Sequence, residues 1–286
     1  MPQVLLTRTL PRDGAEAAYA LACSLFDDDA YPVAIREVDE KADIHEVSIY
    51  VDEDEAEFAL ARLTAAGADG FAVVPLPDID WVRHSLDGLK PVSAGRFHVH
   101  GAHDRAEGRP GRIGIEIEAG LAFGTGHHGT TAGCLIVLSK RLAARRPRRV
   151  LDVGTGSGVL AIAVARLARV AVLATDIDPV ATTVAHDNAR HNEVGGLVTT
   201  LTATGLSHPA IAARGPYDLI VANILARPLM RLAPGMARHL EPGGDLVLSG
   251  ILASQRRQVI AAYAAQRIRH VSTLERDGWV TLRMTR

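Results

Sequence analysis

The chain has 286 residues, 48% of them hydrophobic, with a formal charge of −2; this length allows one large core or two domains of ordinary size, and the near-neutral charge excludes a general attraction to phosphate backbones. Direct nucleic-acid binding is therefore not expected without a local patch. Cys23 and Cys134 are the only cysteines, too few for a disulfide framework and too scattered for a thiolate metal site, and no apolar run reaches the roughly 18 residues of a membrane span, so no membrane contact is expected and the cytoplasm is the expected location.

Val4 to Thr9 and Val33 to Val38 read as strands, separated by an alanine-rich helical stretch with Asp13 as its candidate cap. Ile44 to Val51 then alternates apolar and polar residues, Glu53 to Ala66 repeats apolar residues at helical spacing, and Gly67 and Gly70 stop that helix before the strand Phe71 to Val74. The order strand, helix, strand, strand, helix, strand suits a split βαβ, ferredoxin-like α+β domain over residues 1–80, with two helices on one face of a small antiparallel sheet. Such a sheet leaves its other face or its rim to a partner. Pro75, Pro77 and Pro91 punctuate the next stretch, and residues 81–119 are expected as a linker with a short helix around Trp81 to Leu86 and strands at Phe97 to His100 and Ile113 to Ile117.

After Gly120 strands and helices alternate: Val150 to Val153, Val159 to Ala168, Val170 to Thr175, Pro179 to Arg190, Val198 to Thr202 and Tyr217 to Val221. This pattern predicts an α/β, Rossmann-like domain over residues 120–286, a parallel sheet with helices on both faces. Arg267 to Leu274 and Trp279 to Met284, around Asp277-Gly278, read as a hairpin that finishes the sheet.

The strand Val150-Leu151-Asp152-Val153 runs into Gly154-Thr155-Gly156-Ser157-Gly158 and then a helix, so its glycines let the backbone turn tightly and approach a ligand. Asp176 ends the next strand, near the roughly 20-residue offset at which a carboxylate holds ribose hydroxyls. A dinucleotide site wants its third glycine at the sixth place of G-x-G-x-x-G, where Val159 stands instead. The shorter G-x-G-x-G turn followed by Asp176-Ile177-Asp178-Pro179 resembles class I methyltransferases, which bind S-adenosylmethionine beside it. That resemblance puts Asp152 near the methionine ammonium, while hydrogen bonding of the turn backbone is the alternative role for the same carboxylate. Asn223, in Tyr217-Asp218-Leu219-Ile220-Val221-Ala222-Asn223-Ile224-Leu225, falls at the carboxyl end of a strand, where open α/β sheets place their sites. Its carbonyl can orient an attacking amine, and an N-cap role remains open beside that one.

Upstream, Gly120-Leu121-Ala122-Phe123-Gly124-Thr125-Gly126-His127-His128-Gly129-Thr130-Thr131 has the composition of a lid over a ligand. This loop, Asp152 to Gly158, Ala222 to Leu225 and Leu248-Ser249-Gly250-Ile251-Leu252-Ala253-Ser254-Gln255 together resemble the PrmA family, which methylates the large-subunit stalk-base ribosomal protein, number eleven. The likeness is close over Gly120 to Tyr263, looser over Asp80 to Pro91, and mainly one of topology in the first seventy residues. It implies cofactor contact by Thr131, Gly154, Asp176 and Asn223, with Asp152 and Gly156 beside them, and transfer to lysine or α-amino groups. Asn223 and His128 are the catalytic candidates, His128 either as the base that takes the amine proton or as a loop hydrogen-bonding residue. The family's loop usually reads Gly-Thr-Gly-Thr-His-Pro-Thr-Thr, so His127 and Gly129 depart from it, and loss of the proline loosens the loop.

A protein-lysine methyltransferase with a different target and a silent S-adenosylmethionine-binding module remain the alternatives. Asn223-Ile224-Leu225-Ala226 lacks the Asn-Pro-Pro-Tyr pattern of base and amide methylation. Arg145, Arg146, Arg148 and Arg149, with Lys140 and Arg141, read as a solvated helix end rather than a binding patch. His98, His100 and His103 have spacing compatible with a metal, but no carboxylate or cysteine completes the set. No metal is expected.

Overall fold

The computed structural model describes residues 3–26, 31–39, 42–75, 91–101, 111–117 and 129–286. The expected helix around Trp81 to Leu86, the glycine-rich stretch 120–128 and His103 lie outside them. The chain divides into two compact units, Met1–Ile79 and Asp80–Arg286. Among the described residues no helix is long and apolar enough to cross a membrane.

The first unit runs β1 (Gln3–Pro11), α1 (Arg12–Leu25), β2 (Val33–Asp39), β3 (Ile44–Asp52), a single 3₁₀ turn, α2 (Ala56–Ala65) and β4 (Ala72–Pro75). Its antiparallel sheet has the order β2-β3-β1-β4. Period-two alternation sends Val4 and Leu6 of β1 and Val47, Ile49 and Val51 of β3 to one face. Ala15, Ala18 and Ala22 of α1 and Ala56, Ala59 and Leu63 of α2, at three- and four-residue spacing, close over that face. Gly67 ends α2 with φ +81°; its N–H donates to the Thr64 carbonyl at 3.0 Å and that of Ala68 to the Leu63 carbonyl at 2.9 Å. This pair is a Schellman stop, which the glycine makes possible. Asp13 is not the cap of α1: β1 extends to Pro11, which takes the N-cap position, and Asp13 sits in the first turn, where its charge favours the helix dipole.

In the second unit, β5 (Val92–Ala94), β6 (Phe97–His100) and β7 (Ile113–Glu116) form a three-stranded sheet. Phe97, Val99 and Ile115 are buried in the same core as the helices after them, so residues 91–101 and 111–117, within the stretch expected as a linker, are part of this unit's packing. Further along come α3 (Gly129–Ala144), β8 (Val150–Val153), α4 (Val159–Ala168), β9 (Val172–Asp176), α5 (Pro179–His191), β10 (Val198–Thr202), α6 (Pro209–Arg214), β11 (Tyr217–Asn223), α7 (Ala226–His239), β12 (Leu240–Leu252), α8 (Arg256–Ala264), β13 (Arg269–Arg276) and β14 (Trp279–Thr285).

The seven-stranded sheet has the order β10-β9-β8-β11-β12-β14-β13. Strands β8 to β12 are parallel, and β14 runs antiparallel to both β12 and β13. Both faces are covered, which is why the central strands read as near-continuous apolar runs. Val150, Leu219, Val221 and Val247 face a core with α3 and α4. Leu151, Val153, Ile220, Ala222, Leu246 and Leu248 face one with α7 and α8. The closing hairpin turns at Asp277 and Gly278, both at positive φ (52° and 76°), the geometry that two-residue hairpin loops require. The chain winds outward from β8 to β10 and then returns to the other side of β8 with β11. Adjacent loops thus part at the carboxyl ends of β8 and β11, the place where such sheets bind ligands.

Candidate active site

Gly154, Gly156 and Gly158 all have positive φ (68°, 54° and 83°), a conformation that costs side-chain-bearing residues about 1–2 kcal/mol. The N–H groups of Gly154 and Thr155 donate to the Thr175 carbonyl at 2.8 and 2.9 Å, which fastens the turn to the end of β9. Close approach adds a second requirement for glycine. A Cβ at 154 would lie 2.3 Å from Cγ2 of Ile224, and one at 158 would lie 3.0 Å from the Ala185 Cβ on α5. The turn is thus pressed between the loop after β11 and a neighbouring helix.

Asp176 is the last residue of β9. One of its oxygens, Oδ2, accepts the Gly156 N–H at 2.9 Å and the other accepts the Asp178 N–H at 3.1 Å, so the carboxylate is held over the glycine turn while remaining partly exposed. Asp178 caps α5 through Val180 N–H at 2.8 Å, with Pro179 at the first helical position.

Asp152 is 1% exposed. Its Oδ2 accepts from the Thr155 hydroxyl at 2.7 Å and the Ala161 N–H at 3.2 Å. Bonding of the turn, one of its two expected roles, is therefore present. Oδ1 is buried and has no hydrogen-bond partner among the described residues, so the carboxylate also retains an unused acceptor. Burial pushes its carboxyl up to about 6, against the two hydrogen bonds, which favour the charged form.

Asn223 closes β11, and its Nδ2 donates to Oγ1 of Thr131 at 3.2 Å. Thr131, 1% exposed, stands in the first turn of α3. Asn223 does not cap the next helix: Leu225 occupies that position, without a side-chain hydrogen bond. Nδ2 uses one of its two hydrogens on Thr131, and the carbonyl Oδ1 accepts no hydrogen bond among the described residues. His128, the candidate base, lies outside the described residues.

Two residues to which the sequence motifs assign no individual role hold this arrangement. Ser249, fully buried on β12, has its hydroxyl within hydrogen-bond reach of the Thr130 carbonyl at 3.3 Å, the Val280 carbonyl at 3.2 Å and the Thr281 hydroxyl at 3.0 Å. It ties the start of α3 to the sheet. At Gly250, φ +82°, a Cβ would lie 2.3 Å from the Ile224 carbonyl oxygen, so β12 packs directly on the backbone that presents Asn223. Ser249 interrupts an otherwise apolar strand run, a signal that could have marked it. Cys134 beside them is a buried thiol whose pKa burial pushes up to about 12, inert as a nucleophile.

Lys140, Arg145, Arg146, Arg148 and Arg149 are exposed, as a solvated helix end requires, and Arg141 is the exception in the basic cluster. Arg141 is 2% exposed and ion-paired with buried Asp245. The Arg148 and Arg149 N–H groups donate to Asp218 at 2.8–3.0 Å, and the Arg148 guanidinium reaches Glu241 at 3.3 Å. His98 is buried and shares a hydrogen bond with Ser93 at 3.0 Å, while His100 bonds the Gly101 carbonyl at 2.9 Å. Trp279 packs partly buried at the start of β14.

The strand order, the switch point between β8 and β11 and the glycine turn beneath Asp176 define a class I, Rossmann-like S-adenosylmethionine-dependent methyltransferase. The family described as ribosomal protein L11 methyltransferase (PrmA) matches residues 17–286, and the chain belongs to that family. It is 57% identical to the ribosomal protein L11 methyltransferase of Chelativorans sp. (strain BNC1) and 54% identical to that of Brucella abortus (strain S19), each alignment covering 100% of both chains. Among solved structures, the ribosomal protein L11 methylase of Lactobacillus delbrueckii subsp. bulgaricus is 30% identical with a TM-score of 0.62, over 69% of this chain and 99% of that one.

Proposed function

We propose that the chain transfers methyl groups from S-adenosylmethionine to amino groups of ribosomal protein L11, on lysine side chains, the N-terminal α-amine or both, in the cytoplasm. The observation that carries the reading is the Asn223–Thr131 hydrogen bond, which fixes the asparagine so that its carbonyl remains available at the carboxyl end of β11. The site's residues suit the cofactor. A partly exposed carboxylate, Asp176, is offered for ribose hydroxyls, Gly154 and Gly156 let a ligand approach the backbone, and buried Asp152 keeps one oxygen for an ammonium.

The bound cofactor supplies an activated methyl group on a sulfonium, which leaves the chain the work of alignment. Asn223 Oδ1 accepts a hydrogen bond from the amine and directs its lone pair, and Thr131 keeps the amide from rotating. Proton removal is the second task. An α-amine titrates near 7.7–8.0 and lysine near 10.4, so a lysine needs a base or an entry route that admits its neutral form, and His128 is assigned that role.

The first unit, with its β2-β3-β1-β4 order and two helices on one face, is proposed as a ferredoxin-like domain that selects the protein substrate, while the second binds cofactor and performs transfer. Labelled methyl from S-adenosylmethionine should pass into purified L11 and not into L11 whose amines have been acetylated. Equal labelling of both would contradict amine methylation.

A further inference from the structure

Away from the methyl-transfer site, the end of α3, the start of β13 and the amino end of β12 enclose a cleft of about 270 Å³. Arg141, Arg145, Arg269 and Arg283 line it against a single carboxylate, Asp245. We infer that this cleft is a binding site for a phosphate-class oxyanion.

Asp245 is already committed. Its two oxygens accept from Nε of Arg141 and, at 2.9 Å, from Nε of Arg283, so it orients two guanidiniums instead of offering an open acidic group to the cleft. Arg141 is almost wholly buried, and its Nη2 has no hydrogen-bond partner among the described residues. A buried charged donor without an acceptor is costly and rare in native structures, and Arg141 is one of the residues that line the cleft. The other two arginines are exposed at the cleft. Arg145 is half exposed, with its nearest carboxylate, Glu241, at 3.8 Å, and Glu241 lies closer to Arg148, at 3.3 Å. Arg269 is exposed and makes no ion pair among the described residues.

A tetrahedral oxyanion carries more acceptor oxygens than a carboxylate and presents them in more directions, so it can meet more guanidiniums at once, which favours phosphate. The cleft is distinct from the catalytic centre. Thr131 and Arg141 sit on the same helix ten positions apart, about 15 Å at 1.5 Å per residue. Asp245 pairs with Leu219 at the amino end of β11, whereas Ser249 pairs with Asn223 at the carboxyl end.

Isothermal titration of the full chain with inorganic phosphate, against chloride at equal ionic strength, tests the inference. Saturable one-to-one binding is expected, and Arg145→Gln combined with Arg269→Gln should weaken it at least tenfold while leaving methyl transfer in phosphate-free buffer unchanged. Those two side chains are exposed and leave the Arg141–Asp245–Arg283 cluster intact; Arg269→Gln alone, with a smaller loss expected, serves if the double variant misfolds. A short single-stranded RNA distinguishes the sources. RNA binding lost in the same variant identifies a phosphodiester backbone, and phosphate binding without RNA binding identifies a small phosphorylated ligand. No saturable heat with phosphate, or equal affinity in the wild type and the variants, would overturn the inference.

Discussion

The Asn223 amide is held by Thr131, a residue 92 positions earlier in the chain, through a 3.2 Å hydrogen bond between the end of β11 and the first turn of α3. The bond leaves the carbonyl end of the amide, the end proposed for the substrate amine, without a partner among the described residues. Asn223→Ala should therefore lower kcat by roughly 30-fold, the equivalent of about 2 kcal/mol for a hydrogen bond realised in the transition state, with cofactor affinity changed much less. Thr131→Val should show a milder form of the same split. Steady-state kinetics with calorimetry on both variants checks this, and equal losses in turnover and affinity would instead favour a structural or cofactor-only role for Asn223.

Asp176 is held ready by two backbone N–H groups. Asp176→Ala should weaken S-adenosylmethionine binding by about 1.5–3 kcal/mol, the scale for hydrogen bonds to charged groups. Because Asp176 is partly exposed, the fold should lose little stability. Calorimetry that returned wild-type affinity would remove the ribose assignment.

Buried Asp152 titrates near 6 in the fold, above the ordinary 3.8. A carboxyl raised on folding contributes most to stability below its unfolded value, and that contribution is lost as pH rises through about 6. Asp152→Asn keeps an oxygen for Thr155 and Ala161 but cannot ionise. Denaturation series should show the variant gaining on the ligand-free wild type between about pH 4 and 6, by at most about 3 kcal/mol. S-adenosylmethionine should then stabilise the wild type more than the variant at pH 8, since its ammonium would meet the unpartnered oxygen. A stability difference flat across that range would contradict the burial argument.

Gly154 and Gly250 press on Ile224 from two sides, one against its side chain and the other against its backbone. Gly154→Ala and Gly250→Ala should each lose about 1–2 kcal/mol through their left-handed backbone, with a further loss from the clash. Ile224→Ala should recover part of the loss at 154, where the obstacle is Cγ2, and none at 250, where it is the carbonyl oxygen. Thermal melts of the three single variants and the two double variants distinguish these outcomes, and equal recovery at both positions would refute the packing.

The alternating elements from Val150 to Val221 are legible in the sequence because each has a strong period and a glycine or proline at its boundary. The amino end of β12 does not read as a strand: Glu241-Pro242-Gly243-Gly244 has turn composition, yet the strand runs through it to Leu252. The place of the last hairpin in the sheet is legible, but not that β14 rather than β13 lies beside β12, since strand order depends on contacts that local pattern does not encode. The burial of Arg141 is hidden for the same reason. Its partner Asp245 lies 104 positions away, and a charge near a helix end reads as solvated until that partner is known. At the site, the glycines and acids are visible as a motif, whereas Ser249 has meaning only once Thr130, Val280 and Thr281 converge on it.

Intact-protein mass spectrometry of ribosomal protein L11, after incubation with S-adenosylmethionine and either the full chain or residues Asp80–Arg286, tests the central claim most directly. Residues 91–117 must be kept, because Phe97, Val99 and Ile115 belong to the core of the second unit. The full chain should add whole methyl groups to L11 that map to lysine or α-amines. The shortened chain should bind cofactor with nearly native affinity but require far more L11, since a remote docking surface that binds ground and transition states alike acts through KM. L11 left unmodified by the full chain would contradict the proposed function; modification by the shortened chain with unchanged kcat/KM would contradict the role given to the first unit.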